Sequence, residues 1–188
     1  MSVECEKKYR VFGLNEEDLK NISSRNLEQY YLNIENKKLR DFICYIFKVK
    51  DEELKDMAEA RVRVVNGERY LLTVKGDGTG SRMELETELT FLGEDIIRDH
   101  AVSKISKTRY DYNLPNSCNV LEIDFYRDRD LVVAEMEYDP YEMDGYDVDK
   151  LVRGALKPFA PKLVIDVTED KNYKNKNLAT EITQAENE

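Results

Sequence analysis

The chain has 188 residues, 41% hydrophobic and 36% charged, with a formal net charge of -10; this supplies one core but too little length for two ordinary domains. The acidic balance excludes partners that reward exposed Lys and Arg, namely nucleic acid and anionic membranes, so a basic site for an anion has to be local and enclosed. Cys5, Cys44 and Cys118 are scattered, forming neither a disulfide framework nor a zinc-type pair, and no apolar signal core or long uncharged run appears, which fits a soluble chain in a reducing cytoplasm.

Residues 3–11 alternate in the two-residue period of a strand. Asn15, followed by Glu16, Glu17 and Asp18, has the form of an N-cap and acidic first turn for a helix to about Ser24. Residues 33–59 leave two readings open, because Phe42–Phe47 suits either a buried strand or part of a helix, while Asp51 to Met57 reads as helical. Strands follow at 60–65, 69–75 and 82–90. The last two are joined by Gly76-Asp77-Gly78-Thr79-Gly80, a hairpin loop rather than a phosphate loop, since the Lys-Ser/Thr ending and following helix are missing. A helix at 94–101, strands at 105–112, 120–126 and 131–138, and a helix at 147–157 complete the pattern. Residues 180–188 are polar without an apolar face and read as a disordered tail. The class is mainly β (α+β), one domain over 1–179 with flanking helices.

Within the strands, charge falls on one face. Glu4, Glu6 and Lys8 share a side of the first strand, Arg61 and Arg63 a side of the second, and Thr73 and Lys75 a side of the third. Arg82, Glu84 and Glu86 follow the same rule, as do Lys107 with Arg109, Glu122 with Asp124, and Glu135 with Glu137. An antiparallel sheet with one wet face explains any single strand. It explains less well why the charges are sorted by sign, since like charges on one face cost energy without a counter-ion. A closed barrel with a charged lumen removes that conflict, the bases holding a polyanionic phosphate and the acids a hard divalent ion such as Mg²⁺ or Mn²⁺.

The run Glu4-Cys5-Glu6-Lys7-Lys8 resembles the Glu-x-Glu-x-Lys signature of the triphosphate tunnel metalloenzymes, the CYTH family. Later segments fall in the family's order: Gln29-Tyr30-Tyr31-Leu32, Arg61-Val62-Arg63, Leu72-Thr73-Val74-Lys75, Arg82-x-Glu84-x-Glu86, Ser106-Lys107-Thr108-Arg109-Tyr110 and Ala134-Glu135-Met136-Glu137. Val167 to Ala179 resembles the carboxy-terminal segment of its bacterial branch, so the likeness covers about residues 3–179. It departs from the family in having no Trp, in Asp166 where relatives often carry Glu, and in the length of 33–59.

The resemblance implies a closed eight-stranded antiparallel barrel, its eighth strand in 39–49 or near 162–168, and metal-dependent activity on triphosphates. The bacterial tripolyphosphatases are the most similar branch. Class IV adenylyl cyclases and a non-catalytic polyphosphate- or nucleotide-binding module are the alternatives. By the resemblance Glu4, Glu6, Glu135 and Glu137 hold one or two Mg²⁺ or Mn²⁺ ions, with Glu84, Glu86, Glu122 and Asp124 completing or supporting the set. Lys8, Arg61, Arg63, Lys75, Arg82, Lys107 and Arg109 bind phosphate, and Lys8 and Tyr31 act at the attacked phosphate, with Tyr30 one residue away from that assignment. Lys104 and His100 read as surface residues. The expected partner is a small-molecule triphosphate, with no nucleic acid and no membrane; a homodimer stays open.

Overall fold

The computed structural model describes residues 5–76, 84–115 and 117–182. Its elements are β1 (Cys5–Phe12), a 3-10 turn (Glu16–Leu19), β2 (Ser24–Leu32), α1 (Lys37–Phe47), a 3-10 turn (Asp51–Leu54), β3 (Met57–Val65), β4 (Arg69–Gly76), β5 (Glu84–Glu88), α2 (Gly93–His100) and β6 (Ala101–Asn113). There follow β7 (Val120–Tyr126), β8 (Val132–Tyr138), α3 (Gly145–Leu156), β9 (Leu163–Asp166), α4 (Asn175–Leu178) and β10 (Thr180–Glu181). The chain divides into two compact units, Met1–Asn26 with Ser106–Asn177, and Leu27–Ile105 with Leu178–Glu188.

In the first unit the strand order is β6-β7-β8-β1-β9, with antiparallel ladders. Alternation sends Tyr9, Val11, Leu121, Ile123, Ala134 and Met136 to one face, where Val148, Val152 and Leu156 of α3 cover them. Each such aliphatic side chain stabilises by about 1.5–3 kcal/mol when fully buried. Helix α3 begins where the Asp144 carboxylate accepts from the backbone N–H groups of Tyr146 and Asp147, both at 2.9 Å. Arg153 on the same helix donates to the Val164 carbonyl of β9 at 2.9 Å. The residues left on the opposite face of the sheet are the charged ones.

The second unit has the order β5-β4-β3-β2, again antiparallel. Ala60, Val62, Val64, Leu72 and Val74 form its apolar face, with Leu39 and Ile43 of α1 and Ile96 of α2 in the same core. At Gly93, where α2 starts, nothing larger fits: a Cβ there would lie 2.3 Å from the Tyr70 ring. Strand β10 pairs with the start of β6, Thr180 opposite Lys104.

The strands expected at 3–11, 60–65, 69–75, 105–112, 120–126 and 131–138 are present with shifted ends, as are the helices at 94–101 and 147–157. Four readings change. The helix expected from Asn15 to Ser24 is only the short 3-10 turn, because no apolar stripe follows its acidic start, and Ser24–Leu32 is a strand. The segment 37–47 is helical, started by Asn36 accepting from Lys38 and Leu39 and ended by Lys48 in the left-handed region at φ 55°. The additional strand near 162–168 is therefore β9, and 39–49 is excluded. Part of the expected tail, Thr180–Glu181, is paired. The Gly-rich loop lies beyond Gly76 outside the described residues. The sheet has ten strands among the described residues, and no ladder there joins its end strands β5 and β9, so it is an antiparallel sheet whose closure into an eight-stranded barrel its ladders do not provide. No helix among these residues is long and apolar enough to cross a membrane.

Candidate functional site

On the charged face of the first unit, register decides which charges meet. Arg109 of β6 lies opposite Asp124 of β7, and Glu122 lies opposite Glu135 of β8, which in turn lies opposite Lys8 of β1. Arg109 forks onto Asp124, Nε to Oδ1 and Nη2 to Oδ2, both at 2.7 Å. Its Nη1 donates to Glu122 and its Nη2 also reaches Glu135 at 3.4 Å. Lys107 Nζ donates to Asp124 Oδ2, and the side chains of both are wholly buried. Burial pushes the Asp124 carboxyl up, but Lys107 and Arg109 outweigh it and hold it at about 2. Glu122, also sheltered from water, is raised despite Arg109 beside it.

Lys8 is the second hub of this face. Its ammonium lies 2.9 Å from Glu6 Oε1 and 3.1 Å from Glu135 Oε1, and it also reaches the Tyr173 carbonyl at 3.4 Å. Burial works against its charge, yet Glu135 and Glu6 raise it above the ordinary lysine range. Residues 167–173 hold this strand from the other side, Val167 N–H donating to the Lys8 carbonyl at 2.9 Å and Lys8 N–H to the Thr168 hydroxyl at 3.0 Å. Arg25 of β2 extends the network by pairing with Asp111 at 3.0 Å and Glu122 at 3.5 Å. Sequence reasoning missed it, because a lone Arg in an unrecognised strand carries no pattern.

The second unit builds a different face. Cross-strand register lines up Tyr31, Arg61, Thr73 and Glu86 in one row, Gln29 and Arg63 in the next, and Glu59, Lys75 and Glu84 in a third. Glu86 accepts from the Thr73 hydroxyl at 2.8 Å, and Lys75 pairs with the half-exposed Glu84 at 3.0 Å. Among the described residues Arg61 has one loose carboxylate, Glu59 at 3.4 Å, and its buried Nε has no hydrogen-bond partner. Burial, with Glu59 nearby, pushes the Tyr31 hydroxyl up, so it keeps its proton and donates.

The expected site residues thus fall into two groups. Glu6, Lys8, Lys107, Arg109, Glu122, Asp124 and Glu135 gather on the first unit's face, and Glu137 lies on it opposite Glu6. Tyr31, Arg61, Arg63, Lys75, Glu84 and Glu86 belong to the second unit. Glu4 and Arg82 lie outside the described residues. His100 is half-buried rather than on the surface, its backbone carbonyl accepting from Asn33 at 2.9 Å, because it closes α2 against β2. Tyr30 packs with the apolar core of its unit, so of the two tyrosines it is Tyr31 that shares the charged row.

The donors present suit a hard cation. Glu6 and Glu135 approach one ammonium from two sides, the kind of position a divalent ion also occupies, and carboxylate oxygens with water are the ligands Mg²⁺ takes. Among the described residues no three His, Cys, Asp or Glu side chains already converge as a ligand set; Glu4 is not among them.

No family model matches the chain. Over 132 residues it is 30% identical to an inorganic triphosphatase of Nitrosomonas europaea, spanning 68% of this chain and 78% of that protein. Among solved structures, the PH1012 protein from Pyrococcus horikoshii OT3 matches with a TM-score of 0.50 at 18% identity, over 85% of this chain and 91% of that one. A proposed adenylate cyclase from Bacillus halodurans matches with a TM-score of 0.44 at 14% identity, over 85% of this chain and 90% of that one.

Proposed function

The chain belongs to the triphosphate tunnel metalloenzyme (CYTH) family, and from that premise we propose that it hydrolyses the terminal phosphoanhydride of inorganic tripolyphosphate or a related triphosphate with a divalent metal ion. The observation that carries this reading is Arg61, a nearly buried guanidinium whose Nε has no hydrogen-bond partner among the described residues and whose one carboxylate contact among them is loose. A buried charged donor left short of acceptors is costly, and a phosphate oxygen is the acceptor that matches its fork. Arg63 and Lys75 share its face, and the Tyr31 hydroxyl lies in its row as a neutral donor.

In this reading the bases of the second unit bind the phosphates. Glu6 and Glu135, with Glu4 and Glu137 as further candidates, hold Mg²⁺ or Mn²⁺ in the first unit. A bound divalent ion supplies charge neutralisation on the phosphates and a lowered pKa for water. Within the first unit Lys8 offers charge to a phosphate, and within the second the Tyr31 hydroxyl offers a hydrogen bond. Water attacks the terminal phosphorus, the bridging P–O bond breaks, and orthophosphate and pyrophosphate leave, so the protein contributes positioning and electrostatics rather than covalent chemistry. The closed eight-stranded tunnel of the family is carried as part of this proposal, as is a cytoplasmic setting.

The test is phosphate release from tripolyphosphate, thiamine triphosphate, ATP and GTP, each with Mg²⁺ or Mn²⁺. Orthophosphate from tripolyphosphate is the expected result. Cyclic AMP and pyrophosphate from ATP would make the protein a cyclase, and heat on titration without phosphate release would make it a binding module.

A further inference from the structure

We propose that Asp124 is a positioning residue: it aims Arg109, and through Arg109 the Glu135 carboxylate, and it ligates no ion itself. For the role of Glu135 this rests on the triphosphatase reading above. By sequence parity Glu122 and Asp124 are equivalent acids on one face. Register separates them, because Asp124 lies directly across from Arg109 whereas Glu122 lies across from Asp111 and Glu135.

The Asp124 carboxylate is already occupied. Arg109 Nε takes Oδ1, while Arg109 Nη2 and Lys107 Nζ share Oδ2, and the side chain has no exposed surface. An ion reaching it would have to displace Lys107 or Arg109, leaving a buried cation unpaired, and breaking a buried pair is strongly unfavourable. Lys107 has the complementary task. With Asp124 alone, Arg109 would be neutralised; with Lys107 added, the trio keeps one net positive charge. That charge draws in the two remaining acids, Glu122 and Glu135. Four of the five N–H groups of Arg109 are then directed at carboxylates, so its guanidinium is held on three sides. Glu135 is in turn the carboxylate that faces Lys8. Groups that orient a ligand typically govern metal affinity by 10- to 100-fold.

The Arg109 Nε–H resonance, assigned by comparison with Arg109→Lys, reads the fork in the full chain by NMR. It should be slow to exchange and should persist when Mg²⁺ is added to saturation. Its absence from the ion-free protein, or its loss on adding Mg²⁺, would overturn the proposal, the latter by making Asp124 a ligand. Mn²⁺ titration of Asp124→Asn should then give affinity weakened by roughly 10-fold. Asp124→Glu, which keeps the charge but shifts the fork by one methylene, should be weakened comparably and carries the test if Asp124→Asn does not fold. Wild-type affinity in Asp124→Asn, or full rescue by Asp124→Glu, would refute the positioning role. A wild-type chain that binds no Mn²⁺ at all, yet shows the protected Nε–H, would instead count against the triphosphatase reading.

Discussion

The two charged faces use the same residue types to opposite ends. In the first unit a guanidinium is surrounded by carboxylates, Arg109 touching Asp124, Glu122 and Glu135. In the second, Arg61 lies in a row with Tyr31 and Thr73, and its one carboxylate among the described residues, Glu59, is at 3.4 Å. The first arrangement pairs its guanidinium with the protein's own carboxylates and is part of the protein's own stability. The second leaves donor capacity for an outside anion. Identical side chains on matching strands are therefore paired within the protein in one place and left with spare donor capacity in the other, and the neighbour across the ladder decides which.

The sharpest way to break this contrast is to remove each arginine in turn. Arg109→Ala should lower unfolding stability by about 3–5 kcal/mol, the range for removing one partner of a buried ion pair; a denaturant midpoint within experimental error of the wild type would erase the distinction. Arg61→Ala should do its damage in binding, weakening tripolyphosphate affinity by about 1.5–3 kcal/mol as for a hydrogen bond to a charged group. Calorimetric titration giving an unchanged Kd would remove Arg61 from phosphate recognition.

Acid tests the first face more gently. The Asp124 carboxyl is depressed from 3.8 to about 2, so the stability it contributes is present above pH 3.8 and is lost as pH falls from there toward 2. Glu122 is shifted the other way, raised above 4.5, and so does not add to that acid loss. Denaturation curves between pH 5 and 2 should therefore show an acid limb that flattens in Asp124→Asn; an identical limb in the variant would assign the loss elsewhere. The smallest effect belongs to the solvated pair of Arg69 and Glu88, joined at 3.2 Å on the second unit's surface. Arg69→Ala should move the unfolding midpoint least of these variants, and less still at high salt, because water and ions screen the pair. A larger loss in thermal unfolding would mean that exposure does not sort these ion pairs.

How far the sequence carries depends on what alternation encodes. A two-residue period reports which face a side chain takes, and on that basis Lys107 with Arg109, and Glu122 with Asp124, were assigned correctly to one face. It does not report register, so the expectation that sign-sorted strands await ligands missed that Arg109 and Asp124 are direct partners. Strand β2 escaped notice because Gln29 occupies a buried position between Leu27 and Tyr31, breaking the apolar rhythm, and Arg25 was overlooked with it. Helix α1 became decidable only through its ends, the Asn36 cap and left-handed Lys48, since its apolar run suits either structure.

Lys8 carries one more consequence. Its ammonium, tethered by a flexible stem, already lies between Glu6 and Glu135. Chains that rely on a dissolved ion to hold their acids together fold only once that ion arrives. Here the cation is covalently part of the polypeptide, so these two acids can come together before any ion is met. On the proposed triphosphatase reading, folding and loading become separate events, and a shortage of metal should idle the protein without unfolding it.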